Sequence, residues 1–399
     1  MARSGRKLLP LEGLRGIAAI IVVLYHMVLG FTPHGAGTVP HGCGVFAPLI
    51  QFGLELLNGG AAVSVFFVLS GFILSLPFAR DRRLSRIIFA TLKRWPRLAG
   101  LTVIACLFAY LVIIWSGHDY KQAAHVIGAG WLASHGNSPI NIHQLTPWQA
   151  LRDGLVRVFT QGDVRFDSPL WTMRIELLGS FGIFLAAPLL FALRSWVLRL
   201  TLAGCGAYLC GTGFPQTYFT DFLAGTLLAI LFAEDKLPVL HGWRSWLAGG
   251  AALYMFSFTY EQNLLIHAPL KAALPPGDSS HFVWDAGAAL MIALLLGNPL
   301  LRATFSRHWA AWLGRLSFPI YLLHGPIMLS LGAASFLAAL AWFGMAGSAM
   351  IAVFASMATT LLCAVPLAWI DRGWTGTLSW TARWLEAKLA RNQAIKPGA

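Results

Sequence analysis

Arg15 and His26 interrupt the apolar stretch Leu11–Phe31, LEGLRGIAAIIVVLYHMVLGF, which has Glu12 near its start. On a helix their eleven-residue separation is about three turns, ~16 Å along the axis, and brings them back to nearly the same face. A basic flank (Arg3, Arg6, Lys7) precedes the stretch, so Arg15 belongs near one membrane surface and His26 lies deep or toward the other. In hydrocarbon both are costly unless they face a protein interior or a wet cavity. The plain alternative is an arginine that snorkels and sets topology, plus a histidine satisfied between helices.

The same test picks out Arg174, Glu176, Asp221, Asp285, Arg315 and His324, all within or at the ends of apolar spans. Arg174 and Glu176 stand two apart in PLWTMRIELLG, so on a helix they point to different faces and need not pair. Arg315 and His324 lie in LGRLSFPIYLLHGPIM, where Pro319 and Gly325–Pro326 should kink or break the helix. A broken helix lines a cavity, which opens a route to His324. Asp221 begins a span and reads as its cap; Asp285 reads as an end-of-span residue. Ser64 and Ser70 lack a GxSxG setting and read as packing residues. The histidines of the loops show no HExxH-type spacing and the five cysteines no CxxC pair, so no metal site is expected.

Between Arg80 and Arg97 the chain carries Arg80, Arg82, Arg83, Arg86, Lys93, Arg94 and Arg97 against Asp81 alone. The stretch LSRIIFATLKRW fits an amphipathic helix on the membrane surface. Its charge sets topology and meets anionic lipid, and its arginines also match phosphate oxygens. A ligand with a phosphate-rich head and a long thin arm suits this layout, the head on the arginines and the arm running toward His26. Coenzyme A has that shape.

These side chains must be held by membrane-spanning helices. The 399 residues are 57% hydrophobic and 11% charged, with a mean hydropathy of +0.66. Several apolar runs are long enough to span a bilayer, which indicates an all-α polytopic membrane protein; the alternating short segments of a barrel are missing. The +13 formal charge sits in short loops beside the spans and reflects topology rather than nucleic-acid binding. About ten spans are expected: 11–31, 61–79, 98–115, 169–193, 197–213, 216–233, 243–260, 282–301, 309–334 and 344–370. A short helix is expected at 45–58 and a long polar stretch at 116–168. The Lys/Arg bias puts both termini in the cytoplasm. The domain reads as 1–371, followed by a cytoplasmic tail at 372–399.

In this order the segments resemble the acyltransferase 3 family, membrane enzymes that O-acylate cell-surface sugars, lipids or small molecules. LRGIAAIIVVLYH is similar to the opening signature, an arginine and a histidine with ten residues between them. AAVSVFFVLSGFIL, KRWPRL, PLWTMRIE, FLAGTLLA and LGRLSFPIYLLHGPIM resemble the segments that follow it. Ser64 departs from the acidic residue usual there, and Phe318 stands at the late aromatic position. The resemblance implies an O-acyltransferase of the cytoplasmic (inner) membrane, with acyl-CoA, most often acetyl-CoA, as co-substrate and no resident cofactor. The acceptor would be a hydroxyl of a cell-surface or periplasmic carbohydrate or glycolipid. His26 is the expected base or acyl carrier, with Glu176 and His324 as further catalytic groups and Arg15, Arg94 and Arg97 on the CoA. The alternative is a transporter of a lipid- or sugar-linked precursor, with His and Glu as a proton relay.

Overall fold

The computed structural model describes residues 8–32, 52–79, 81–82, 84–116, 119–134, 145–210, 216–259, 265–274 and 279–394. Among these every regular element is helical. The helices are α1 (Leu9–Phe31), α2 (Gly59–Ser75), α3 (Leu84–Ser116), α4 (Asp119–Ile127), α5 (Gly130–Ala133), α6 (Pro147–Arg152) and α7 (Trp171–Ala192). There follow α8 (Trp196–Cys210), α9 (Phe219–Ala233), α10 (Trp243–Ser257), α11 (Ala268–Ala273), α12 (Ser279–Gly297), α13 (Pro299–Thr304), α14 (His308–Ile327) and α15 (Ala333–Ala394). Six of the described helical stretches are long and apolar enough to cross a membrane: Leu9–Phe31, Gly59–Ala79, Ser85–Ser116, Ser168–Ala192, Ser280–Gly297 and His308–Glu386. Trp196–Leu209 and Phe219–Ala233 are apolar but shorter.

Hydrocarbon gives no hydrophobic drive between helices, so close contact at small residues must supply the attraction. The two tightest seams follow that rule. α1 packs along α14, where a Cβ on Gly16 would lie 2.7 Å from the Leu313 backbone and one on Gly314 would strike the Glu12 carbonyl. α2 packs along α9, where Cβ atoms on Gly71 and Gly225 would collide with the Phe222 and Val68 carbonyls. Asn58 starts α2 by accepting from the Ala61 N–H, and its amide donates to the Phe256 carbonyl at 3.0 Å. That one side chain therefore caps α2 and ties it to the end of α10.

Several expectations change. The surface helix and the third span are one rod, α3, which runs unbroken through Pro96. The helix with Pro319 and Pro326 does not break either. It continues into a π-helical turn at Met328–Gly332. The real reversal is at Gly344, whose φ of 61° suits a residue without a Cβ. Beyond it the last span continues as helix to Ala394, so residues 372–394 extend a rod. The described residues of the 116–168 stretch are largely helical, with α4, α5 and α6 and a π-turn at Asp153–Arg157. Asp221 does not cap α9: the cap position is Tyr218, and Asp221 is buried one turn in. Of the short helix expected at 45–58, residues 45–51 lie outside the described residues, as does Cys43, and 52–55 form a helical turn.

Candidate active site

The α1–α14 seam carries two of the expected residues into contact. His26 Nδ1 lies 2.9 Å from His324 Nε2, and the rings stack with centroids 5.1 Å apart. His324 Nδ1 faces the Tyr321 backbone carbonyl at 2.7 Å. A carbonyl only accepts, so His324 Nδ1 carries the proton and its Nε2, in a neutral ring, must accept. His26 Nδ1–H is then the donor across the seam, and the lone pair of His26 sits on Nε2. One carbonyl on α14 thus sets the tautomers of both rings. Trp131 of α5 stacks on His26, centroids 5.1 Å apart and planes 14° from parallel.

Arg15, three turns earlier on α1, donates through Nε to Ser317 at 2.9 Å and through Nη2 to Glu12 and to the Gly314 carbonyl at 3.0 Å. It therefore clasps α14 and is only partly buried. Arg94 and Glu176 form a separate pair between α3 and α7: the guanidinium contacts the carboxylate and donates to Ser180 Oγ at 2.8 Å, while Ser70 Oγ donates to Glu176 at 2.8 Å. Glu176 thus serves Arg94 and Ser70, and the histidine tautomers are set from elsewhere. Arg174 faces the opposite way, into a shallow surface groove with Trp95 and Phe159.

A cavity of about 160 Å³ joins these parts. Arg15, Arg97, Arg315, Asp371, the Arg94–Glu176 pair, Ser70, Phe66, Thr172 and Tyr321 are among its lining. Arg97 and Arg315 are exposed. Neither histidine lines the cavity; Tyr321 does, and His324 lies one turn beyond it on α14. The Tyr321 hydroxyl donates to the Pro169 carbonyl at 2.9 Å, and Thr172 Oγ1 is 2.8 Å from it.

Three residues of this region escaped the sequence reading: Tyr321, Trp131 and Asp167. Asp167 is fully buried, and neither carboxylate oxygen has a hydrogen-bond partner among the described residues. It sits on Gly325, where a Cβ would collide with Oδ1, one residue from His324. Burial pushes its carboxyl well above the usual range. The signal available in sequence was an acid two residues before PLWTMRIE, but nothing local distinguishes it from a loop aspartate.

A family model described as an acyltransferase domain matches residues 9–369. The chain is also similar to an O-acetyltransferase, PaAT-1 of Phomopsis amygdali, at 26% identity over 369 residues, covering 81% of this chain and 72% of that protein. No solved structure matches. Since the family match covers residues 9–369, from the first described turn of α1 into the last span and including both histidines, Glu176 and the cavity arginines, the chain belongs to the acyltransferase 3 family and is a membrane acyltransferase.

Proposed function

We propose that the chain is an O-acyltransferase that moves an acyl group, acetyl in the first instance, from cytoplasmic acyl-CoA to a hydroxyl of a cell-surface or periplasmic carbohydrate or glycolipid. The observation that carries this reading is the directed hydrogen bond that leaves the His26 Nε2 lone pair available, next to an arginine-lined cavity. In this reading the chain crosses the cytoplasmic membrane ten times with both termini inside, and residues 1–371 form the catalytic domain. The exposed Arg97 and Arg315, with Arg15, meet the phosphates of CoA. Arg94 is engaged by Glu176 and acts by holding the wall of the cavity. At about 160 Å³ the cavity is smaller than the ~300–1,000 Å³ of ordinary ligand pockets; it suits a thin arm, while the nucleotide stays at the mouth.

The acceptor hydroxyl attacks the thioester carbonyl and gives its proton to His26 Nε2. The C–S bond breaks, and the departing thiolate takes that proton as free CoA. His324 keeps His26 in the reactive tautomer, and its backbone-anchored Nδ1–H keeps its own ring from turning.

The test uses the purified protein in nanodiscs with acetyl-CoA and glycans extracted from the cell surface. Acceptor-dependent CoA release and an acetylated product by mass spectrometry are expected, both lost in His26→Ala. Movement of a glycolipid across a sealed vesicle without CoA release would instead favour a transporter.

A further inference from the structure

Asp221 on α9 and His281 and Asp285 on α12 are far apart in sequence and meet where α9 and α12 pack against α2. All three are buried. His281 Nε2 lies 3.5 Å from Asp221 Oδ2 and 3.2 Å from Asp285 Oδ1, and one ligand atom from each residue falls within 4.8 Å of the others. Around tetrahedral zinc, with bonds near 2.0–2.2 Å, ligand atoms are about 3.3–3.5 Å apart. The two spacings from His281 Nε2 match those edges.

The second observation is independent of the cluster. Ser64 on α2 is fully buried with its Oγ turned toward Asp221, close to it but outside good hydrogen-bond geometry. Both carboxylate oxygens of Asp221 also fail hydrogen-bond geometry. A native interior leaves few such polar atoms unsatisfied, and an ion is one of the standard reasons. Thr220 Oγ1 donates to Asp285 Oδ2, which orients that carboxylate with Oδ1 toward His281. Ionised carboxylates in an apolar interior need a compensating positive charge. A dication with a neutral imidazole balances them, and the one-nitrogen, carboxylate-oxygen donor set suits zinc or a similar divalent metal.

We propose that Asp221, His281 and Asp285, with Ser64 as a neutral fourth oxygen, bind a divalent metal ion, zinc or a metal of its class, that staples α9 and α12 to α2. None of the four lines the arginine cavity. They are linked to it by rings: His281 meets Tyr218 edge-on at 4.2 Å, and Tyr218 meets the cavity residue Phe67 at 5.4 Å. The ion therefore braces the cavity wall and is not among the reacting groups.

The experiment measures metal content and thermal unfolding of the full chain purified in detergent without chelator. Wild type is expected to hold close to one divalent metal ion per chain. A chelator should lower its melting temperature and Zn2+ should restore it. Asp221→Asn and His281→Gln are near-isosteric; they should carry less than a tenth of the metal and show no zinc-dependent shift. If either variant fails to fold, the wild-type content and its zinc shift decide alone. A monodisperse wild type with no stoichiometric metal and no shift on adding Zn2+ or Mn2+ overturns the proposal, as does metal retained at wild-type level in folded variants. Neither readout depends on acyl transfer.

Discussion

His324→Ala separates a residue that performs proton transfer from one that positions it. The structure gives His324 a single role toward His26: its Nε2 accepts the Nδ1–H at 2.9 Å. Such a bond contributes about 0.5–1.5 kcal/mol net. Its loss removes a bias of up to about tenfold toward the His26 tautomer with a free Nε2, since ~1.4 kcal/mol is a factor of ten. His324→Ala should therefore lower kcat for acyl transfer by roughly tenfold, with little change in KM for acyl-CoA, because His324 does not line the cavity. His26→Ala removes the base itself and should cost about 10²–10⁴-fold. The double variant should be no slower than His26→Ala, since the two act as one unit. The assay is CoA thiol release under saturating acceptor, with thermal unfolding in detergent as a control for folding. If His324→Ala is as inactive as His26→Ala while both melt like wild type, the direction of the hydrogen bond is misread and His324 is the base.

Glu176→Gln leaves Arg94 charged and buried with its carboxylate gone; breaking such a pair from one side costs about 3–5 kcal/mol, and a large fall in melting temperature is expected, with an unchanged melt as the contrary result. Arg97→Glu and Arg315→Glu should each raise KM for acyl-CoA severalfold without altering KM for the acceptor; equal effects on both substrates would remove the arginines from the donor site. Gly225→Ala pushes a Cβ into the Val68 carbonyl and should cost about 1–3 kcal/mol by overpacking, read as a lower melting temperature. Asp167→Asn tests the buried carboxyl. Its raised folded pKa contributes stability below the unfolded value of about 3.9 that is lost as pH rises toward the folded value. The variant lacks that loss, so its melting temperature relative to wild type should climb with pH above about 4; a gap independent of pH would mean that Asp167 ionises normally.

Much of the molecule was legible along the chain because spans and their ends are local properties. Apolar run length identified most of the helices. The eleven-residue step from Arg15 to His26 placed both on the face of α1 that meets α14, and the two-residue step from Arg174 to Glu176 correctly sent them to different surroundings. The rest depended on partners distant in sequence. Proline at 96, 319 and 326 removes a local hydrogen bond, yet α3 and α14 run on through all three, past the point where a local rule ends them. Arg94 carries the same charge as Arg97 and sits three residues away. Only the approach of α7 decides that one is buried against Glu176 and the other exposed at the cavity. The sequence by itself determined which titratable groups lie in a membrane and must find company. The tertiary structure decided which company: His324 with His26 rather than with Glu176, and His281 with Asp221 and Asp285. A side chain's pairing depends on which helices pack together, and no spacing within one helix encodes that.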